Sequence, residues 1–241
     1  MMRQQLLHGY VLHQRAYREK SRLVHFFSLE SGRIDGVARQ HLPPLYQPAL
    51  LYASGKTSLK TFTKIEQVGN VYSLTGQALF AGFYLNELLV RLLPLEESCP
   101  ELFATYGWAL ESLMAFGRQT DAVQAKRELL LILRRFEQVL LDTLGYTPRF
   151  DQDADGQLIA PDANYRYRAG VGFERSATGD TGRVLQSYQP EMSEWSAEHL
   201  GLLTRVHRVI IQQLCGDQPL RSRELWQSQN RFVQTSAGEA S

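Results

Sequence analysis

The stretch Lys126 to Tyr146 reads KRELLLILRRFEQVLLDTLGY. Leu129, Ile132, Leu133, Phe136, Leu140 and Leu144 recur at intervals of three and four, the period of a helix with a wide apolar face. Leu130, Leu131, Val139 and Leu141 widen that face, so this helix is expected to be buried on most sides. Gly145 stands where a C-terminal cap would, and Pro148 bars continuation. Three arginines interrupt the apolar pattern. Arg127 and Arg134 lie two turns apart along nearly one line, and Arg135 is one step round. They make either a solvated stripe partnered by Glu128 and Glu137 or a cationic edge beside an apolar groove, suited to an acidic peptide.

Outward from this stretch the helical period extends both ways. Leu79 to Leu93 reads as a helix ended by Pro94, Pro100 to Gly117 as another, and Trp195 to Leu214 as a third, with Arg205 and Arg208 on its polar side. Between them, Thr147 to Pro190 is loop-rich and contains the basic run Tyr165-Arg166-Tyr167-Arg168. A last short helix starts at Leu220, and the polar tail from Gln227 is expected to fray. Before Thr75 the period is that of strands. Arg22 to Leu29, Ile34 to Ala38, Leu50 to Ala53 and Ser58 to Val68 alternate or are rich in β-formers, with turns at Glu30-Ser31-Gly32-Arg33 and Ser54-Gly55-Lys56. Another strand opens at Gly9-Tyr10-Val11. Five short strands of this spacing fit a small OB-type barrel. The expected class is therefore α+β, with an OB-fold over residues 1–78 and an α-helical domain over 79–241 carrying an insert at about 147–190.

Strict alternation in SLKTFTKIEQV places Lys60, Phe62 and Lys64 on one face. Single-stranded nucleic acid needs cations for its phosphates and an aromatic ring for a base, so this trio is a candidate contact. Phe62 equally fits the end of a barrel core. Residues 1–81 hold ten Lys/Arg against four Asp/Glu, a net of +6, whereas the remainder holds 16 against 21, a net of −5. That asymmetry suits either a polyanionic partner for the first part or an ordinary solvated surface.

Other signals exclude more than they propose. No apolar run approaches a membrane span, and the N-terminus lacks a signal-peptide core, so a cytoplasmic location is expected. Cys99 and Cys215 are too few for a disulfide framework or a four-cysteine zinc site. Gly55-Lys56-Thr57 has Leu50 where a phosphate-binding loop needs a small residue, and strand rather than helix follows. Asp151, Asp153, Asp155 and Gly156 match the first half of a calcium loop, but Pro161 replaces the exit helix; an acidic turn or a weak cation site are both open. No nucleophile, base or carboxylate pair is marked by context, so no enzyme is expected. The remaining enzymatic alternative is a metal-dependent nuclease using those three aspartates.

Several separated stretches together resemble one family: Gly9-Tyr10-Val11-Leu12-His13, Glu30-Ser31-Gly32-Arg33, Tyr84-Leu85-Asn86-Glu87-Leu88-Leu89, Leu133-Arg134-Arg135-Phe136-Glu137, Leu144-Gly145-Tyr146, Tyr165-Arg166-Tyr167 and Pro219 to Leu225 (PLRSREL). Over nearly its whole length the chain resembles the RecO-type bacterial recombination mediators. The resemblance implies a non-enzymatic DNA repair protein without cofactors, cytoplasmic and nucleoid-associated when on DNA. It would bind single- and double-stranded DNA and anneal complementary strands. With RecR it would help RecA displace the single-stranded-DNA-binding protein. It also implies that the acidic tail of that protein docks near Arg134, Arg135, Arg205 and Arg208, joined here by Arg127. Two features depart from the family. Residues 147–190 contain no cysteine, so the insert is zinc-free. The basic loop after the third strand has shrunk to Arg39-Gln40-His41-Leu42-Pro43-Pro44. DNA binding then falls on Arg15, Arg18, Lys20, Arg22 and Arg39, with Lys56, Lys60, Phe62 and Lys64. A protein-interaction adaptor with little DNA affinity is the alternative.

Overall fold

A computed structural model describes residues 4–117, 121–192 and 194–226. The alternating stretches before Thr75 form β1 (Gln5–Tyr17), β2 (Ser21–Ser28), β3 (Gly32–Ala38), β4 (Pro48–Ser54) and β5 (Leu59–Gln67). They close in the order β1-β2-β3-β5-β4, with β4 returning to β1 and β3 parallel to β5. This is the OB-type barrel that the strand spacing predicts. Its interior holds Leu7, Val11, Val24, Phe26, Ile34, Leu51 and Phe62. Gly36 makes room there: a Cβ at that position would come within 2.5 Å of the Phe62 ring.

Part of the outer side of β1 and β2 is buried as well. Tyr10 and Phe27 pack against Phe103 and Tyr106 of α2 (Pro100–Phe116). Val11 and Leu12 are both buried although adjacent, Val11 in the barrel core, and the register with β2 shifts between Val11 and His13. In α1 (Gly76–Leu92), buried Asn86 donates to the Leu12 carbonyl at 2.9 Å and accepts from the Tyr106 hydroxyl at 2.6 Å. A satisfied polar pair inside an apolar contact fixes how helix and strand meet. These contacts explain a division that differs from the expected boundary at residue 78. The compact units are residues 1–119 with 219–241, and residues 120–218. The barrel, α1 and α2 thus group together. Leu220 of the returning segment is buried, and Glu87 accepts from the backbone N–H groups of Arg221 and Ser222, both at 2.9 Å.

The second unit contains α3 (Ala122–Thr143) and α5 (Ala197–Cys215). α3 begins before its apolar period does. The Asp121 carboxylate accepts from Val123 N at 2.8 Å and Gln124 N at 3.0 Å, an N-cap that sequence periodicity overlooked. Its buried face holds Leu129, Ile132, Phe136, Leu140 and Leu141. The stretch 147–190 is more ordered than its composition suggested. It forms a small antiparallel sheet of β6 (Asn164–Arg168), β7 (Gly172–Arg175) and β8 (Asp180–Thr181), with β6 central, followed by α4 (Gly182–Ser187). An aromatic run holds it. Phe173 meets Phe150 at 5.4 Å, Phe150 meets Tyr188 at 4.6 Å, and Tyr188 meets Trp195 at 5.8 Å. Strands this short carry too few residues for alternation to register.

The aspartate-rich stretch is a tight turn. Asp153 Oδ1 accepts from Asp155 N at 3.1 Å and Gln157 N at 2.9 Å, while Asp151 pairs with Arg149. Among the described residues no group of three or more His, Cys, Asp or Glu side chains is arranged to hold a metal ion. Cys99 and Cys215 are both half-buried. Among the described residues no helix is long and apolar enough to cross a membrane. The expected fraying from Gln227 lies outside the described residues.

Candidate nucleic-acid and partner-binding sites

The strand register sorts the barrel cations by end. β1 and β2 pair from Gly9–Ser28 down to Tyr17–Ser21, and Arg22 faces Ala38. Arg15, Arg18, Lys20, Arg22 and Arg39 therefore gather where β1 ends, β2 begins and β3 ends, and all five are exposed. Arg18 adopts a left-handed backbone (φ +55°) at the hairpin tip, with its guanidinium 5.2 Å over the Tyr17 ring. Lys64 belongs to the same end, because Ala38 pairs with Phe62 and Gln40 accepts from Ile65 N at 3.2 Å. Lys56 lies in the exposed β4–β5 loop at the other end.

Two of the expected DNA contacts are placed otherwise. Phe62 is 2% exposed, edge-on to Phe26 inside the barrel, so it cannot stack a base. Lys60 is paired with Glu96 at 2.8 Å and its side chain is only 13% exposed. The shared face of Lys60, Phe62 and Lys64 is broken by a β-bulge. Tyr52 pairs with Thr63 and Leu50 with Glu66, so Leu51 alone opposes Lys64 and Ile65. Lys64 takes φ +49°, Ile65 packs against the barrel core, and the Lys64 ammonium rests 5.0 Å over the Tyr52 ring. Sequence alternation cannot reveal an extra residue in one strand.

Beside the hairpin, a polar row crosses the outer face of β1, β2 and β3. His13 and His25 stack at 5.8 Å, His25 bonds Asp35 at 2.7 Å, and Arg33 pairs with Asp35 at 2.9 Å. Arg33 also donates to the Val90 and Leu93 carbonyls, meeting the negative end of α1. Burial, with His25, Arg15 and Arg221 nearby, lowers the His13 pKa. At Asp35 burial alone would raise the pKa, but hydrogen bonds from His25 and Arg33 carry it below the usual value.

The α3 arginines separate into different roles. Arg134 is 7% exposed, and its guanidinium donates to Glu137 at 2.8 Å. Glu137 is fully buried and its second oxygen meets buried His207 of α5 at 3.0 Å. Arg134 is thus an internal ion partner and not part of a surface cationic edge. Arg127 and Arg135 converge on the segment before α5. Arg127 donates to the Trp195 carbonyl at 3.3 Å; Arg135 donates to the Met192 carbonyl and lies 4.7 Å over the Trp195 ring. A pocket of about 190 Å³ opens there, lined by Gln124, Arg127, Glu128, Leu131, Glu194, Trp195 and Leu200. Arg205 is held by Asp180 (Nε to Oδ2 3.1 Å), and that bond raises its pKa. Arg208 is exposed.

Two family models cover almost the whole chain: "Recombination protein O N terminal" over residues 2–70 and "Recombination protein O C terminal" over residues 74–224. The chain belongs to the RecO family. The DNA repair protein RecO of Pseudomonas aeruginosa is 40% identical over 228 residues, covering 90% of this chain and 92% of that protein. The RecO of Pseudoalteromonas atlantica is 36% identical over 235 residues, covering 91% and 93%. That of Pasteurella multocida is 38% identical over 232 residues, covering 90% and 92%. The two RecO models meet between residues 70 and 74, at the strand-to-helix switch, whereas the compact units divide after α2. In this RecO chain, the sequence reading gave no site role to Tyr17, Tyr52, Trp195 or His207. Tyr17 sits under its own neighbour Arg18 at the hairpin tip, Tyr52 sits under Lys64 of another strand, and His207 meets Glu137 only through helix packing.

Proposed function

We propose that this RecO-family chain is a DNA-binding recombination mediator that acts in DNA repair without catalysis. The observation that carries this reading is the set of six cations at one barrel end: Arg15, Arg18, Lys20, Arg22, Arg39 and Lys64. Glu19 is the one acid within the β1–β2 turn. Such a cluster neutralises phosphates without reading bases, so both single- and double-stranded DNA are substrates, with Lys56 as an outlying contact. Strands held by their phosphates keep their bases accessible for annealing. The test is fluorescence anisotropy of labelled single strands and duplexes across salt. Affinity falls by about a thousandfold or more between roughly 50 and 200 mM salt if about six phosphates are engaged. A flat response overturns the reading.

The same proposal assigns a partner site beside Trp195. The acidic tail of the single-stranded-DNA-binding protein docks there, its carboxylates on Arg127 and Arg135 and its terminal aromatic ring in the pocket, with Arg208 as a further cation. Arg134 and Arg205 support the site from their own ion pairs. Through this tail and through RecR the protein, in the cytoplasm, helps load RecA on coated strands. Saturable binding of an acidic peptide ending in Asp-Phe, weakened by Arg135→Ala, is expected; no binding removes this site. The adaptor reading keeps some support from Lys60, whose charge is taken up by Glu96. It predicts that the peptide binds while DNA does not.

A further inference from the structure

We infer that Tyr52 and Lys64 form a single-strand platform on the outer face of β4 and β5, taking the role that Phe62 cannot. This rests on the DNA-binding reading above. Leu51 and Ala53 are buried in the barrel, so Tyr52 between them points outward, and it is half-buried rather than covered. The bulge opposite Leu51 turns Lys64 onto its ring. A left-handed backbone is unfavourable for lysine, and such a conformation persists only where the surrounding structure imposes it. Here the bulge aims a cation at an aromatic face.

The β2–β3 side of the barrel offers less. Phe27 is packed on α2, Arg33 is committed to the end of α1 and to Asp35, and Ser98 donates to the Leu29 carbonyl at 3.2 Å. By contrast the strip of Leu6, Leu50, Tyr52 and Lys64 is half-buried or exposed, apolar with one aromatic ring and one ammonium. A base displaces the ammonium from the Tyr52 face and stacks there, and the ammonium moves to the adjoining phosphate. Only a single strand can present an unstacked base, so the platform favours single-stranded over duplex DNA.

The experiment measures anisotropy of a labelled oligothymidine and of a duplex with the full chain and three variants. Tyr52→Leu keeps the apolar packing but removes the ring; Tyr52→Phe keeps the ring; Lys64→Gly accepts the left-handed backbone and removes the side chain with its amine. Tyr52→Leu is expected to weaken the single strand by about 5- to 150-fold, the value of one stacked base, with duplex affinity unchanged and Tyr52→Phe like wild type. Lys64→Gly lowers the single-strand salt slope by about 0.7. Wild type binding both DNAs with Tyr52→Leu indistinguishable from it overturns the platform and leaves the DNA-binding reading standing. Equal loss for single strand and duplex in Tyr52→Leu also overturns it, because that pattern marks damage to the barrel. Wild type binding neither DNA overturns both.

Discussion

Arginine is exposed at the β1–β2 tip and buried in the middle of α3, and the contrast follows from how far each element reaches past its core. The hairpin runs beyond the barrel interior, so Arg15 on one face and Arg22 on the other are both in water. In α3 the flanking apolar residues are packed on most sides, and only angular phase decides where a cation goes. Arg134 enters the interior and requires Glu137 and His207; Arg135, about 100° round by helix geometry, reaches the Trp195 ring instead. A charge run in a hairpin can be read as surface, whereas one in a buried helix must be read residue by residue.

The largest effect should come from breaking the buried set. Glu137→Ala leaves Arg134 without its ion partner inside the second unit, and the urea-unfolding free energy should fall by about 3–5 kcal/mol. Loss comparable to a surface substitution would show that water reaches this site. Phe62→Ala should cost about 3–5 kcal/mol in the barrel's stability through the cavity it leaves, with single-strand affinity retained by the folded fraction. Selective loss of DNA binding with stability intact would return Phe62 to the interface. Arg135→Ala should weaken the acidic peptide by about 1–3 kcal/mol as a charge-assisted contact; Arg205→Ala should matter less, because Asp180 already holds Arg205. At the hairpin, Arg18→Ala should lower the duplex salt slope by about 0.9 and leave the unfolding midpoint unchanged.

The smallest effect is a proton linkage on the barrel. His13 has its folded pKa below the ordinary value, so the unfolded chain binds more protons in the window between the two, and stability rises with pH there. Asp35, also lowered, gives the same sign in the acid range. Unfolding midpoints should therefore fall as pH drops from 7 through the histidine range, and His13→Asn should flatten that part of the slope while leaving the lower, carboxylate part. A midpoint that rises on acidification would contradict the assigned direction.

Much of the fold was legible in local pattern. The strand-to-helix switch near Thr75, the end of α1 before Pro94 and the Pro100 start of α2 follow from period and punctuation. The small sheet of β6 to β8 was not, since its strands are two to five residues long and its cohesion lies in rings contributed by Phe150, Tyr188 and Trp195 from outside it. The candidate sites were half legible. Charge alone showed an excess of Lys and Arg over residues 1–81, and the resemblance pointed to the individual cations. But Glu96 and Asp180, which take up Lys60 and Arg205, are distant in sequence, and the burial of Arg134 with Glu137 depends on helix packing.

By itself the sequence determined the element types, the OB-type barrel with helices following, the family, and an excess of Lys and Arg over residues 1–81. The element types rest on side-chain periodicity, the charge excess on composition and the family on the resemblance of several separated motifs, all of which are properties of the sequence alone. Tertiary structure alone decided which charges remain available. The bulge at Lys64 reassigns the faces of β5, and the packing of α3 against α5 buries Arg134 with Glu137 and His207. A charge is free or committed according to which groups the fold brings within a few ångströms, and that distance is not written in the order of residues along the chain.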